Sequence, residues 1–228
     1  AQCDLIYLSG RKSTCVRGGL LATNDAKYFD QLKAWLPLFE GFITYGGMSS
    51  KEIEAMTVGL REMVDLEVAS SSADLIKDFV EKMVAAGLPA VTPPGGLAGH
   101  LDCMKFIPHV PQSQYPAGAL CSALYLVSGI RSMERGTISM DRDEDGNDVP
   151  SDVELLRLAF PRRVFTLSQI KFVEDRINWL YDNRKLVGGL RFVEEPKVLR
   201  FFLGRLAPTS DWTGRLVAKF KEDFGSSL

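Results

Sequence analysis

Ser9 stands three residues ahead of Lys12 in the stretch Ser9-Gly10-Arg11-Lys12. A lysine amine can condense with an aldehyde, and a hydroxyl one tight turn away can bind a phosphate carried by the same molecule. Pyridoxal phosphate (PLP) needs that pair, one group for its aldehyde and one for its phosphate. A second candidate lies far along the chain. In Leu155-Leu156-Arg157-Leu158-Ala159-Phe160 the alternation places Leu156, Leu158 and Phe160 on one face of a strand and Arg157 on the other. An arginine alternating with core residues needs a partner, and a ligand carboxylate held by two parallel N–H···O bonds is one.

Other reactive residues carry less. Asp141-Arg142-Asp143-Glu144-Asp145-Gly146 matches the first half of a calcium-loop pattern, with Asp152 at the twelfth position. The second half fails, because an aspartate stands for the bidentate glutamate and Asp148 occupies a normally apolar position. A charged hairpin turn is expected instead. His100 and His109 are too far apart for a helical metal pair and read as surface or core-satisfied histidines. Cys3, Cys15, Cys103 and Cys121 show neither C-x-x-C spacing nor the density of a secreted disulfide scaffold. Reduced thiols in a cytoplasmic setting are expected, with no metal site.

The elements that must position these groups follow from composition and periodicity. The chain has 228 residues, of which 46% are hydrophobic and 25% charged, enough for one large domain or two smaller ones with a real core. A formal charge of −2 argues against a polyanion-binding surface. No uncharged apolar run approaches the length a membrane span needs, so neither nucleic acid nor membrane is expected as a partner.

Ala1-Gln2 runs at once into Leu5-Ile6-Tyr7-Leu8, a run of buried-strand type, so preceding sequence is expected to supply its sheet neighbours. A strand at Gly18 to Thr23 and a helix through Tyr28 to Leu36, ended or bent by Pro37, should follow. Glu40 to Gly47 is too glycine-rich for a helix and reads as a loop. Lys51 to Val64 has helical spacing, and Ser71-Ser72-Ala73-Asp74 resembles a capping box for a long connecting helix that ends at Gly87 and Pro89.

Beyond it, Pro116 can open a helix that closes at Gly129, and Thr166-x-x-Gln169 can cap another that closes at Gly188-Gly189. Strands are expected at Leu88 to Val91, Leu97 to Cys103, Ile130 to Met140, Leu155 to Phe160 and Leu190 to Glu194. The result is an α+β unit with helices over a largely antiparallel sheet. Trp212, Leu216, Val217, Phe220 and Phe224 are spaced for an amphipathic helix that could pack on this chain or on a partner.

Several motifs in this order carry a family resemblance. Ser9-Gly10-Arg11-Lys12, Glu40-Gly41-Phe42-Ile43-Thr44-Tyr45-Gly46-Gly47, Val58-Gly59-Leu60-Arg61-Glu62, Gln114-Tyr115-Pro116-Ala117 and Gly129-Ile130-Arg131 come first. Leu156-Arg157-Leu158 with Pro161-Arg162, then Glu195-Pro196-Lys197-Val198-Leu199-Arg200-Phe201-Phe202, complete them. Over residues 5–205 this resembles the C-terminal half of the tyrosine phenol-lyase and tryptophanase family of PLP-dependent β-eliminating lyases. Met133-Glu134-Arg135-Gly136 and Arg200-Phe201-Phe202 are similar to the phenol-lyase versions of those segments. A phenol leaving group gives an arginine an oxygen to bind, whereas an indole would leave it unpaired.

The resemblance implies an α/β fold: part of a PLP-transferase type I (aspartate aminotransferase-like) large domain over residues 1–65, an inter-domain helix with an α+β small domain over 66–206, and a helical extension over 207–228. It implies that Lys12 holds PLP and then acts as base at Cα, that Ser9 binds the PLP phosphate, and that Arg157 clamps the amino-acid carboxylate. Arg135 would address the phenolic oxygen, and Met133, Phe201 and Phe202 would line the ring pocket. The implied partners are an aromatic amino acid, the missing N-terminal half and further copies of the chain in a homotetramer with active sites near subunit boundaries.

Two departures stand out. Arg17 occupies the position where the family has an asparagine that helps bind a monovalent cation, so a potassium requirement stays open. Gly95-Gly96-Leu97 replaces a Gly-Gly-His segment. A tryptophan-cleaving lyase, or a non-catalytic assembly module, is the alternative.

Overall fold

The computed structural model describes residues 3–225. They divide into two compact units, one of residues up to Asp74 with Phe160–Thr166, the other of Leu75–Ala159 with Leu167 onward.

In the first unit β1 (Leu5–Ser9) runs into a single helical turn, α1 (Gly10–Ser13), and β2 (Gly19–Thr23) returns antiparallel with Ser9 opposite Gly19. Helix α2 (Ala26–Phe39) is capped by the Asp25 carboxylate, which accepts from Lys27 N and Tyr28 N. Pro37 does not end it. The proline sits in the last turn, where a missing N–H costs one bond, and the helix closes through Glu40 N to Leu36 O. Residues 41–49 form the expected loop, with positive φ at Gly41, Gly46 and Gly47. Gly41 is obligatory there, because a Cβ would lie 2.6 Å from Gly47 N. Helix α3 (Ser50–Met63) begins with a reciprocal capping box between Ser49 and Glu52.

Helix α4 (Leu66–Ala85) starts earlier than the Ser71–Asp74 capping box suggested. Asp65 caps it, accepting from Glu67 N and Val68 N. Ser71 lies inside the helix, where its hydroxyl donates to the Val68 carbonyl.

The second unit is built on β3 (Ala98–Asp102), β4 (Met133–Arg135) and β5 (Leu155–Ala159), an antiparallel sheet in the order β3-β5-β4. One face is core. Leu101, Leu156 and Leu158 are buried, and Gly99 lies so close to the Phe79 ring that a Cβ would meet it at 2.7 Å. Buried Ile76, Phe79, Val80 and Met83 of α4 contribute to this core, as do Phe106 of α5 (Cys103–Phe106) and Leu120 and Leu124 of α6 (Pro116–Ser128). Ile177 and Leu180 of α7 (Leu167–Asp182) are buried as well. Helix α6 opens at Pro116 and closes at Gly129, as the sequence indicated.

Three strand expectations change. Leu88 to Val91 forms only an isolated bridge, Ala90 to Leu101, because Pro89 offers no N–H and Pro93 and Pro94 follow at once. Of Ile130 to Met140 only Met133–Arg135 is strand. Buried Glu154 and Glu134 accept from Thr137 N and Ile138 N and turn the chain into a short 3-10 helix. Finally, β6 (Leu190–Glu194) does not join the sheet. After the helical turn α8 (Arg200–Leu203), β7 (Arg205–Pro208) pairs with β6 as a separate ribbon. The C-terminal helix α9 (Trp212–Phe224) packs on this chain, with Trp212, Leu216 and Phe220 buried and Trp212 Nε1 donating to Gly189 O at 3.0 Å.

Candidate functional site

In the first unit the structure brings Ser9 and Lys12 into one turn. Ser9 closes β1 and occupies the N-cap position of α1, yet its side chain makes no capping hydrogen bond. Among the described residues neither the Ser9 hydroxyl nor the Lys12 amine has a hydrogen-bond or ion-pair partner. The backbone around them is fixed. Gly10 N donates to Gly18 O at 2.8 Å, and Thr14 donates to Gly10 O through both its amide and its buried hydroxyl. A Cβ on Gly10 would sit 2.7 Å from Met56 Cε, and one on Gly59 would sit 2.6 Å from the Thr14 carbonyl, so α3 presses directly on this turn.

The segment Phe160–Thr166 is latched to the same turn. Arg162 N donates to Lys12 O at 3.2 Å and Cys15 Sγ to Arg162 O at 2.9 Å, while Arg163 pairs with Glu62 at 2.8 Å. A rigid turn that leaves a hydroxyl and an amine free fits a ligand with a phosphate and an aldehyde. Close by, the Glu52 carboxyl is held below its ordinary range by hydrogen bonds from the Ser49 amide and hydroxyl, with Arg17 adding a smaller charge effect.

In the second unit Arg157 stands directly opposite His100 of β3 on one side and Met133 of β4 on the other. Directly opposed residues share a face, and Arg135 lies two residues beyond Met133, so Arg157, Met133 and Arg135 come together on the half-exposed side of the sheet. Among the described residues Arg157 has one polar contact, Nη1 to Met133 Sδ at 3.8 Å, and neither arginine has an acidic partner. Glu134 does not pair with Arg135, since it points to the buried face and is held by Ile138 N and Ser139 Oγ. Burial pushes its carboxyl above the ordinary range, against the hydrogen bond from Ser139.

Phe201 and Phe202 fall in α8, a helical turn and not an extended strand, so their rings meet edge to face with centroids 5.0 Å apart. Phe202 is strongly exposed. What positions this turn is Arg200, only 1% exposed. Its guanidinium donates to the carbonyls of Met140 and Thr137, to Asp148 at 2.6 Å and to Glu195 at 2.9 Å. Arg142 forks onto Glu195 with two 2.8 Å bonds, and the Tyr115 hydroxyl donates to Asp148. Burial opposes ionisation of Asp148, but the bonds and charges of Arg200, Tyr115 and Arg142 outweigh it and hold the carboxyl below its usual range. The Tyr115 phenol is pushed up to about 12 by burial and by its bond to Asp148. Asp148, at the end of the acidic run, and Glu195 are therefore the acid side of an arginine cluster that ties α8 to the turn following Arg135.

Searched against models of protein families, the chain matches none. It is 42% identical over 208 residues to tyrosine phenol-lyase of Pasteurella multocida (strain Pm70), covering 90% of this chain and 45% of that enzyme. The tyrosine phenol-lyase of Lacrimispora saccharolytica (strain ATCC 35040 / DSM 2544 / NRCC 2533 / WM1) is 41% identical over 220 residues, covering 95% and 46%. This chain is a relative of the tyrosine phenol-lyases. A protein named "Probable tryptophanase" from Aeropyrum pernix (strain ATCC 700893 / DSM 11879 / JCM 9820 / NBRC 100138 / K1) is 39% identical over 209 residues, covering 90% and 45%. The chain spans less than half the length of these relatives. A lysine-to-alanine variant of serine palmitoyltransferase from S. paucimobilis, solved with a bound PLP–myriocin aldimine, superposes with a TM-score of 0.52 at 14% identity over 80% of this chain and 41% of that one. That likeness shows the fold, the α/β fold of PLP enzymes of type I.

Two groups escaped the sequence reading. The Arg200 cluster left a signal, an arginine set between apolar residues downstream of an acidic run, but not its pairing. His100 was grouped with His109, and the two differ: His109 Nε2 is engaged by Val187 O at 2.7 Å, whereas His100 faces Arg157 with no hydrogen-bond partner among the described residues.

Proposed function

We propose that this chain forms the C-terminal portion of a PLP-dependent carbon–carbon lyase that eliminates the aromatic group from the β-carbon of an amino acid, taking tyrosine and water to phenol, pyruvate and ammonia. The observation that carries the reading is the sheet face of Arg157, Met133 and Arg135, on which two guanidiniums stand without an acidic partner among the described residues. It is joined by similarity to tyrosine phenol-lyases over nine-tenths of the chain.

When bound, PLP supplies the electron sink for charge that develops at Cα. Lys12 would hold the cofactor through its ε-amine and Ser9 its phosphate. The Lys12 amine would also take the proton from Cα and return it, within a turn whose backbone is fixed by Gly18 and Thr14. Arg157 orients the α-carboxylate with its planar fork. Arg135 donates to the phenolic oxygen and stabilises the ring as it leaves, and Met133, Phe201 and Phe202 flank that ring.

The reading keeps residues 1–65 as part of the PLP-binding large domain, 66–206 as the connecting helix and small domain, and 207–228 as the extension. It places the whole enzyme in the cytoplasm as a homotetramer, and admits a monovalent cation only as an alternative to the Arg17 charge. Tryptophan cleavage is the second reading, favoured by the similarity to a protein named as a tryptophanase; a guanidinium at Arg135 favours a phenol.

The test is a leaving-group comparison on the full-length, PLP-loaded protein. Arg135→Ile should lower kcat/KM for tyrosine by roughly 10²- to 10³-fold, the usual loss of one charge-stabilising donor. Pyruvate release from an S-alkyl cysteine, which has no ring oxygen, should change far less. Equal losses on both substrates would remove Arg135 from the leaving-group role.

A further inference from the structure

We propose that His100 is a further recognition group for the ligand carboxylate, standing beside Arg157 and taking up a proton as that carboxylate docks. The inference rests on the assignment of Arg157 to the carboxylate.

The placement is set by strand register. His100 and Arg157 are directly opposed across β3 and β5, so their Cβ atoms are about 4.5–5.5 Å apart on one face. Any carboxylate engaged by the Arg157 fork lies within reach of a side chain rooted there. The imidazole is half-buried, and neither ring nitrogen has a hydrogen-bond partner among the described residues. His109, by contrast, has its Nε2 engaged by Val187 O.

The charges facing the ring come from all three strands. Arg157 projects from β5 and Arg135 from β4. On β3 itself Asp102 shares the face, but it is committed to Lys105 at 3.1 Å and to the Lys105 amide. Burial, then the Arg157 charge, then the Arg135 charge hold the imidazole below its ordinary value, so the ring is neutral near pH 7 in the free protein. An arriving carboxylate reverses both local conditions. It offsets the guanidinium field and supplies an acceptor for an imidazole N–H, and each change favours the protonated ring.

The sign of the linkage follows. If bound ligand raises the imidazole pKa, docking takes up a proton between the free and bound values, and affinity must rise as pH falls through that interval. Below the free-state value the ring is protonated in both states and the gain levels off. Above the bound-state value it is neutral in both, and His100 contributes no charge.

The probe is 3-(4-hydroxyphenyl)propionate, which carries the aromatic ring and the carboxylate but no amine, and so cannot condense with the cofactor. Binding to the full-length PLP-loaded protein is followed by titration calorimetry in buffers of different ionisation heat, across roughly pH 5.5 to 8. The wild type should take up a fraction of a proton near neutrality. His100→Gln and His100→Asn should abolish that uptake, weakening binding about three- to tenfold at the acid end and little at the alkaline end. Unchanged proton uptake in either folded variant overturns the role of His100, even with Arg157 in place. Failure of the wild type to bind the probe, or equally tight binding by Arg157→Met, would overturn the carboxylate assignment of Arg157 and this inference with it.

Discussion

Replacing Arg157 by methionine separates recognition from structure. In the folded chain this guanidinium has one polar contact, Nη1 to Met133 Sδ at 3.8 Å, a weak interaction that a methionine side chain largely replaces by packing. The strand is anchored by its neighbours, since Leu156 is 1% and Leu158 4% exposed, and both face away from Arg157. Removing a cation that lacks an acidic partner among the described residues, on the same face as Arg135, also relieves repulsion. The stability change should therefore stay within about 0.5 kcal/mol, the range of a surface substitution.

Substrate recognition should suffer far more. A bidentate grip on a carboxylate comprises two charge-assisted hydrogen bonds, each contributing about 1.5–3 kcal/mol. Losing both removes at least about 3 kcal/mol, a fall of about a hundredfold or more in kcat/KM. The assay is steady-state pyruvate release from tyrosine by the full-length PLP-loaded protein, with thermal unfolding measured on the same preparations. Arg157→Lys should fall in between, because it keeps the charge and loses the fork. A kcat/KM within about threefold of wild type would refute the reasoning. So would a loss accompanied by a fall in stability of about 2 kcal/mol or more, which would make Arg157 a structural residue.

Two further outcomes follow from the packing. Gly59→Ala would drive a methyl to 2.6 Å from the Thr14 carbonyl and so push on the turn that carries Lys12; it should cost about 1–3 kcal/mol and weaken PLP retention, read by the cofactor's absorbance after dialysis. Glu134→Gln tests the buried carboxyl whose pKa is raised by burial. Between the unfolded and folded pKa values the folded protein holds a proton that the unfolded chain has lost, so Glu134 costs stability as pH rises through that window. The difference in unfolding free energy, wild type minus Glu134→Gln, should therefore fall as pH rises through the window and be constant above it; a flat difference would mean that Glu134 ionises normally.

Much of the local structure was legible because it depends on neighbours in sequence. Period-two alternation placed Arg157 opposite the core face of β5, proline and glycine marked the two ends of α6, and helical spacing located α9. The misreadings arose where distant groups compete for the same backbone. Glu134 and Glu154 claim the amides of Ile138 and Thr137 and cut an expected long strand to Met133–Arg135. At α4 the competitor was instead local: Asp65, just ahead of the helix, caps it in place of the serines inside it. The charged turn expected in the acidic run is present, closed by Gly146 N to Asp143 O, but nothing along the chain showed that Arg200 and Arg142 would pair with Asp148 at its end.

The sequence by itself determined which chemical groups are present and their order: a serine and a lysine one turn apart, an arginine beside Met133, a second arginine woven into a core strand, and paired phenylalanines downstream. Those facts rest on covalent spacing and on the periodicities of helix and strand, which need no partner to be read. Only the tertiary structure decided what faces what. Strand register set His100 and Met133 on either side of Arg157, side-chain charge satisfaction committed Arg200 to Asp148 and Glu195, and the same test left Arg157 and Arg135 without an acidic partner among the described residues. Pairing across strands and the shared desolvation of distant charges arise only when the chain has folded, so no spacing along the sequence could have distinguished a structural arginine from one free to bind a ligand.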